Sequence, residues 1–295
     1  MTVKNLTVHG GEIEVQTIRN STLNGIESSG PITVYNGKVT ASSNNGCGIR
    51  VKSSDLIVYG GEVNATSDKD DAILFYHDNG STHSSLNISG GSVTANSKYK
   101  GAGIHFKSGI DQITVSGGSL TAISGESSST NYGYGINFDP YSAGTFTISG
   151  GTVDLTGGKA SSSKRGGDGI VIWGNINVTA GSLTVHGGEG SDTKDGGYGI
   201  YFKTAGYLTV DGGTVDITGG KSANGIYGFA RTNIQTFNGG QSSIAGGEGK
   251  KAFNQAVKIR TGMSAFGSDS PSSIGSAIQI TDEEVTINYR YVDIK

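Results

Sequence analysis

Large aromatic and cationic side chains recur at one place in this sequence, in the short runs that follow a small residue and an Ile or Val. The only tryptophan of the chain belongs to this set, which comprises Arg50, Tyr76, His105, Lys107, Trp173, Tyr201, Lys203 and Tyr227. Aromatic rings stack on the C–H faces of sugars, and cations pair with carboxylates or sulfates. A long strip of such groups suits an extended polymer, because a small ligand prefers a concave pocket. The set predicts a ligand-binding strip, against the simpler interpretation that each ring packs on a neighbouring loop.

The loops that lead into these runs add aromatic and basic residues on the same side. They are Tyr99, Tyr132, Tyr134, Lys164, Arg165 and Tyr198. Repeat proteins often place insertions of this kind on their binding face. We therefore expect these loops to border the strip.

Acidic residues precede two of the runs. Asp70 and Asp71 stand before Ala72-Ile73, and Asp168 stands before Gly169-Ile170. Carboxylates and loop carbonyls are the oxygen ligands that calcium uses, so these three residues are candidate calcium ligands. No other cofactor is indicated. Solvated acidic turns are the simpler interpretation of each.

Catalysis would need a second feature. Glycosidases use two carboxylates about 5–10 Å apart, and adjacent repeats could supply that spacing. The segments that match Asp70 and Asp71 in the neighbouring repeats carry no acid, and no cluster rich in His and Asp accompanies Asp168. The sequence therefore favours a protein that is not an enzyme.

Two anchors alternate along the chain and position all of these residues. The first is apolar-Thr-apolar-x-Gly-Gly-x-apolar, with copies that begin at Leu6, Ile113, Phe146 and Leu208 and looser copies that begin at Ile32, Leu56, Leu86, Ile176 and Ile234, nine in all. The second is a small residue followed by Ile or Val, from Gly25-Ile26 to Ala256-Val257. Period-two alternation in each run points its apolar residues to one side.

These anchors predict three short strands in every repeat: the Leu-Thr-Val run, the run after the Gly-Gly corner, and the Gly-Ile run. The fold class is all-β, a right-handed parallel β-helix (β-solenoid) of about nine three-stranded coils. We expect the repeats to occupy residues 1–262 and closing strands of the same domain to occupy 263–295, with 277–280 and 285–289 as the closing pair. Propeller blades need about 40–45 residues, and the spacing here is shorter.

Composition limits the function further. The chain has 51 glycines and 3 prolines in 295 residues, and its net charge is −3. That charge argues against nucleic-acid binding, which usually requires a basic excess. No apolar stretch is long enough to span a membrane, so membrane insertion is not expected. The first residues carry no export signal, and we expect any such signal to lie outside this sequence.

The repeats resemble a known family. Ile88-Ser89-Gly90-Gly91-Ser92-Val93-Thr94-Ala95 and Ile148-Ser149-Gly150-Gly151-Thr152-Val153-Asp154-Leu155, followed by Gly-Ile runs, are similar to repeats of bacterial β-helix proteins known as carbohydrate-binding domain-containing proteins. The resemblance covers roughly residues 5 to 260. It implies a secreted or surface protein that binds acidic plant polysaccharide, with calcium ligands supplied by Asp-Gly-Ile steps. Asp168-Gly169-Ile170 matches that step.

Three functions remain open at this point. The first is a non-catalytic module of a secreted or surface bacterial protein, part of a larger multidomain chain, that recognises an extended acidic polysaccharide or a host glycan through the strip. The second is a structural stalk or adhesin module with a protein or host ligand, which the polar Thr rows of the other strands favour. The third is an enzyme similar to pectate lyases or polygalacturonases.

Overall fold

The computed structural model describes residues 1–17, 22–77, 83–107, 109–126, 133–139, 144–161, 164–191, 194–204, 206–228, 233–271, 275–280 and 284–295. Strands and turns make up these segments, and none of them contains a helix of the length and hydropathy that a membrane span needs. The chain forms a right-handed parallel β-solenoid, as predicted, and about eight full turns link the nine stacked strands of its first sheet.

Sheet A forms one side of the solenoid and consists of nine parallel strands, one from each successive coil. Its strands are the predicted Gly-Ile runs, preceded by a first strand at Thr2–Val3 that the repeat pattern did not indicate. They are β1 (Thr2–Val3), β4 (Ile26–Ser28), β7 (Ile49–Lys52), β10 (Ile73–Tyr76), β13 (Ile104–Lys107), β16 (Ile136–Phe138), β18 (Ile170–Ile172), β20 (Ile200–Phe202) and β23 (Ile226–Gly228).

Sheet B forms the other two sides, as two columns of parallel strands that meet at the Gly-Gly corners. The first column contains β2 (Leu6–Val8), β5 (Ile32–Val34), β8 (Leu56–Val58), β11 (His83–Ile88), β14 (Ile110–Val115), β21 (Leu208–Val210), β24 (Gln235–Phe237) and β26 (Val257–Ile259). The second contains β3 (Glu12–Gln16), β6 (Lys38–Ser43), β9 (Glu62–Ser67), β12 (Ser92–Ser97), β15 (Ser119–Ile123), β22 (Thr214–Thr218) and β25 (Gln241–Ala245). Two long strands, β17 (Thr145–Thr156) and β19 (Asn175–His186), run through the corner and belong to both columns.

The corners require glycine for a local reason. Gly61 has φ +76°, in the left-handed region that favours glycine. A Cβ atom on it would lie 2.4 Å from the carbonyl oxygen of Gly37 on the preceding coil. Because consecutive coils stack about 4.8 Å apart, this close approach repeats along the solenoid and explains the recurring Gly-Gly pair.

The core lies inside the three sides and follows the predicted alternation. The rings of Phe75, Phe106 and Phe138 stack on one another at centroid distances of 4.4 and 4.7 Å. Each is fully buried beneath sheet A. Inward positions are thus used for packing, which leaves the outward rows of sheet A available for function.

The last coils depart from the predicted register. Val257–Ile259 pairs with Gln235–Phe237 in the first column of sheet B, so the assignment of Ala256-Val257 to the third strand was wrong. Ala252-Phe253 takes that place instead: Ile226 N donates to Ala252 O at 2.9 Å, and Phe253 forms a parallel bridge to Ile226. The ring of Phe253 fills the core position that the other coils give to Ile.

The first anchor of the same coil is also shifted by one residue. Thr236 pairs with Thr209, which places Gln235 rather than Ile234 at the inward apolar position. Gln235 is 1% exposed. Its amide is satisfied there, since Oε1 accepts from Leu208 N at 2.7 Å and Nε2 donates to Asn233 O at 3.0 Å.

Antiparallel strands cover the C-terminal end. The strand β30 (Tyr291–Ile294) pairs with β25 and with β27 (Ala265–Ser268), while β28 (Ser276–Ala277) and β29 (Glu284–Val285) add two-residue pairings to β27 and β26. The expected closing pair 277–280 with 285–289 is not the pair that forms, because β30 supplies the longer ladder.

Candidate functional site

The eight residues of the predicted strip all lie on the outer face of sheet A. One row is fixed by the strand register and runs through Glu27, Arg50, Leu74, His105, Asn137, Val171, Tyr201 and Tyr227. The second row pairs Lys52, Tyr76 and Lys107. Trp173 and Lys203 continue this second row. Ile172 pairs with Phe202, and Trp173 and Lys203 are the residues that directly follow them.

Val171 divides this face into two regions. It stands on the outward row between Asn137 and Tyr201 but is only 2% exposed. On one side lies a groove built around His105, which we call the ion-pair groove. On the other side lies a group of Tyr198, Tyr201, Tyr227, Arg165 and Lys203, which we call the tyrosine cluster.

The ion-pair groove consists of two adjoining cavities of about 370 and 290 Å³. Both are lined by Asp70, Asp71, His105 and Lys107, so they form one continuous depression over several coils. The first cavity adds Gly101, Ala102, Gly133, Tyr134, Asn137 and Asp139, and the second adds Thr22, Asn24, Gly46, Cys47, Arg50, Leu74 and Tyr76. Tyr134 borders the groove as the loop pattern predicted, whereas Tyr132 lies outside the described residues.

His105 is held between two carboxylates at the floor of this groove. Its Nδ1 donates to Asp71 Oδ2 at 2.7 Å, and its Nε2 donates to Asp139 Oδ1 at 3.0 Å. Asp71 comes from the coil before His105 and Asp139 from the coil after it, so the contact ties three coils together. The side chains are 17%, 11% and 28% exposed for His105, Asp71 and Asp139.

The protonation state follows from this geometry. Burial alone would lower the pKa of His105, but the charge of Asp71 and the hydrogen bonds to both carboxylates outweigh it and raise the pKa to about 10. Burial would raise the pKa of Asp139, yet the hydrogen bond and charge of His105 hold it below its ordinary value. At neutral pH the group is therefore an imidazolium between two carboxylates, so His105 has no vacant nitrogen with which to act as a base.

Asp70 differs from its two acidic neighbours in the groove. Burial and the negative charge of Asp71 raise the pKa of its carboxyl. Its Oδ1 accepts from Asp71 N at 2.9 Å. Burial and the nearby Asp70 raise the pKa of the Cys47 thiol, so this buried cysteine is held in its neutral form.

Tyr76 is the aromatic residue of the groove, and cations accompany it. The Arg50 guanidinium lies 4.6 Å from the ring centroid and the Lys107 ammonium lies 5.9 Å from it. Arg50 also pairs with Glu27 at 3.9 Å. These cations are thus partnered by rings and carboxylates of the protein, because their neighbours on adjacent coils are acidic or aromatic.

The tyrosine cluster is assembled from three coils. The rings of Tyr198 and Tyr227 stack at 4.4 Å, and Tyr201 meets them edge-on at 5.4 and 5.3 Å. The Lys203 ammonium lies 4.1 Å from the Tyr201 centroid, and burial lowers its pKa although Asp168 opposes the shift. The Arg165 guanidinium lies 4.2 Å from the Tyr198 centroid. Trp173 stands on the neighbouring coil beside Lys203.

Asp168 is buried beneath this cluster, where it is 1% exposed and bonds to two of its members. Its Oδ1 accepts from Arg165 Nη2 at 2.5 Å and from Tyr198 N at 2.7 Å, and Arg165 Nη1 lies 3.4 Å from Oδ2. Burial raises the pKa of Asp168, while Arg165 and the amide oppose the rise. The carboxylate therefore fixes the loop that carries Arg165 to the coil that carries Tyr198.

Two of the three candidate calcium ligands, Asp71 and Asp168, are already engaged by protein donors. Arg165 already neutralises Asp168, and Asp71 accepts from His105 and from Ala102 N at 2.7 Å. Within the described residues, no group of three or more His, Cys, Asp or Glu side chains is placed to hold a metal ion.

Comparison with protein-family models, with curated proteins and with solved structures finds nothing that matches this chain.

Proposed function

We propose that this chain is a non-catalytic binding module that recognises an extended polysaccharide along the outer face of sheet A. The observation that carries the proposal is the register of the sheet, which brings eight aromatic and cationic residues from six coils onto two adjacent rows. The groove and the cluster lie on the same face, and Tyr76 and Tyr201 are four coils apart, roughly 19 Å along the axis. A ligand must be extended to contact both.

The tyrosine cluster supports an acidic sugar as the preferred unit. Tyr201 and Trp173 present apolar rings on this face. Lys203 is next to both, since it lies two residues after Tyr201 and level with Trp173 on the neighbouring coil. Lys203 and Arg165 bring two positive charges against the one carboxylate of Asp168, so the cluster retains a net positive charge. A uronic acid would stack its ring on an aromatic face and place its carboxylate near Lys203.

The ion-pair groove supports recognition of hydroxyl groups. Planar carboxylate, amide and imidazolium groups line it, with Asn137 donating to Asp139 at 3.1 Å. Their positions are fixed by bonds to one another before any ligand arrives. Such preorganised groups bind at a smaller entropic cost than mobile side chains.

The test is affinity electrophoresis in gels that contain polygalacturonan, with carboxyl-reduced polygalacturonan as the neutral counterpart. We expect the protein to be retarded by the acidic polymer and less by the reduced one. The variant Trp173→Ala/Tyr201→Ala should lose the retardation. Phe266→Ala is the matched control, because it removes an aromatic ring that is 37% exposed on β27, away from sheet A. Equal retardation of the double variant and the wild type would contradict the proposed surface.

A stalk or adhesin module is the alternative that this experiment also addresses. A chain that no polysaccharide retards, and that captures a purified host surface protein through residues of sheet B, would favour that alternative.

Hydrolysis at the ion-pair groove is a second candidate, supported by one observation. Asp70 and Asp139 line the same cavity and their pKa values are shifted in opposite directions, which is the arrangement that acid and base roles require. Hydrolysis would be established if the wild type releases reducing ends from polygalacturonan and the Asp70→Asn variant does not. A constant reducing-end signal with retained binding supports the non-catalytic module.

A further inference from the structure

A second aromatic feature lies on the solenoid edge opposite sheet A. At the corner where the two columns of sheet B meet, each coil has a glycine with positive φ, and the residue two positions before that glycine stands at the start of the corner. In the first three coils this residue is aromatic: His9, Tyr35 and Tyr59 stack at centroid distances of 4.8 and 5.0 Å with interplanar angles of 5° and 11°. Tyr35 is 42% and Tyr59 51% exposed. The three rings form a continuous ladder along the axis.

The ladder ends at Tyr59 although the backbone continues unchanged. Tyr59 N donates to Val34 O at 2.9 Å, and Ser89 N and Ser116 N repeat that bond to Val58 O and Ile88 O at the same distance. The residues that follow in this column are the exposed serines Ser89, Ser116 and Ser149. On the coil after Tyr59, the corresponding position therefore has the short hydroxyl side chain of Ser89 in place of a ring.

The space that a fourth ring of the ladder would occupy holds no aromatic side chain. Tyr35 is stacked on both faces, whereas among the described rings Tyr59 stacks only on Tyr35, and it is 51% exposed. A coil step of about 4.8 Å is the thickness that one stacked ring occupies in this ladder. Gly90 and Gly91 carry no side chain that could fill the space.

We infer that the Tyr59 ring face and the Ser89 and Ser116 hydroxyls form a binding site for one neutral pyranose ring, which continues the ladder as its missing rung. The C–H face of the sugar stacks on Tyr59. The serine hydroxyls, which both donate and accept, bond to the hydroxyl groups at the edge of the sugar. The absence of charge on Ser89, Ser116 and Ser149 selects a neutral sugar rather than a uronate.

The site is independent of the proposed function of sheet A, because the Gly-Gly corner and sheet A lie on opposite sides of the coil. If both surfaces are occupied, one molecule holds two polysaccharide chains. Two weak sites on one rigid body then raise the overall avidity for a polymer network well above that of either site.

The experiment is NMR titration of protein carrying ¹³C-labelled tyrosine rings with methyl β-D-glucopyranoside. Tyr59→Phe assigns the Tyr59 signal. We expect saturable shifts of Tyr59 at least severalfold larger than those of Tyr207, which is 40% exposed but outside the ladder. Ser89→Tyr adds the missing rung and should abolish the sugar-dependent shift, while Ser89→Thr should retain it.

Two results would overturn the inference: a Tyr59 response no larger than that of Tyr207, or a Tyr59 response that Ser89→Tyr leaves unchanged. Trp173→Ala/Tyr201→Ala separates this site from sheet A, because the Tyr59 shifts must persist in that variant. Thermal unfolding of Ser89→Tyr, followed by circular dichroism, checks that the added ring keeps the fold. If that variant unfolds, retardation in a gel that contains β-glucan decides the question instead. Tyr59→Ala should then lose the retardation, whereas Tyr207→Ala should be retarded as the wild type is.

Discussion

The ion-pair groove and the tyrosine cluster lie on the same face of sheet A, but different interactions fix their side chains. In the ion-pair groove, His105 joins Asp71 and Asp139 across three coils, and charge holds the surface together. In the tyrosine cluster, three rings pack on one another, and the charges of Arg165 and Lys203 lie against ring faces. The groove is a surface of hydrogen bonds, whereas the cluster is a surface of aromatic contact.

The comparison indicates how a solenoid can divide the recognition of a polymer. Hydrogen-bonding groups select among hydroxyl patterns because an unmatched polar group is costly when water is excluded. Aromatic faces contribute contact that tolerates different sugars. The two regions should therefore respond differently to substitutions that remove charge, to pH and to the loss of ring packing.

The largest effect is expected for His105→Leu. The substitution leaves the carboxylates of Asp71 and Asp139 without their shared cation, and removing one partner of a buried charge pair typically costs about 3–5 kcal/mol. Urea unfolding of the variant measures the loss in free energy of unfolding. Lys107→Leu is the control, since an exposed cation on the same strand contributes about 0–1 kcal/mol. Equal losses in the two variants would show that the imidazolium does not join the coils.

Arg165→Ala should destabilise the protein less, by about 3 kcal/mol, the low end of the cost of breaking a buried charge pair, because it leaves one buried carboxylate without its cation whereas His105→Leu leaves two. Asp168 can take up a proton, so the deficit should shrink as the pH is lowered. Asp168→Asn in the Arg165→Ala background should recover part of the loss at neutral pH. A deficit that does not change between neutral and acidic pH would contradict the role of Asp168 as the charge that Arg165 neutralises.

The ion-pair groove should also make stability depend on alkaline pH. The folded pKa of His105, about 10, lies above its ordinary value of 6.5, so its contribution is complete below pH 6.5 and is lost as the pH rises through 10. The slope for one proton is at most about 1.4 kcal/mol per pH unit. Unfolding free energies of wild type and His105→Leu measured from pH 6.5 to 10 should converge. A constant difference between the two would refute the raised pKa.

The smallest effect is expected in the tyrosine cluster. Tyr227→Leu keeps an apolar side chain but removes one stacked and one edge-on ring contact, each worth about 0.5–1.5 kcal/mol. The loss of stability should not vary between pH 6.5 and 8, in contrast to that of His105→Leu. Differential scanning calorimetry at the two pH values provides the comparison, and a strong pH dependence would mean that charge rather than packing holds the cluster.

Much of this arrangement could be predicted from the sequence, because the repeat itself carries the information. Alternation after Gly103-Ile104 places Phe106 inward and His105 outward. Stacking then puts residues such as Tyr201 and Tyr227 in one row. The shared face of sheet A follows from these local patterns.

The ion pairs could not be predicted in this way. Asp71, His105 and Asp139 are separated by 34 residues at each step, and their contact depends on loops whose lengths differ between coils. The same limitation explains the last coil. Phe253 fills a position that Ile holds in the preceding coils, so a pattern restricted to Ile and Val selected Val257 instead.

The central claim is that one extended polymer contacts both regions of sheet A. Isothermal titration with a series of oligogalacturonides of increasing length tests it most directly. The affinity should rise with length until the oligomer spans the roughly 19 Å from Tyr201 to Tyr76, and in Trp173→Ala/Tyr201→Ala this rise should be absent. An affinity that is the same for short and long oligomers, or a rise with length that survives in the double variant, would contradict the claim.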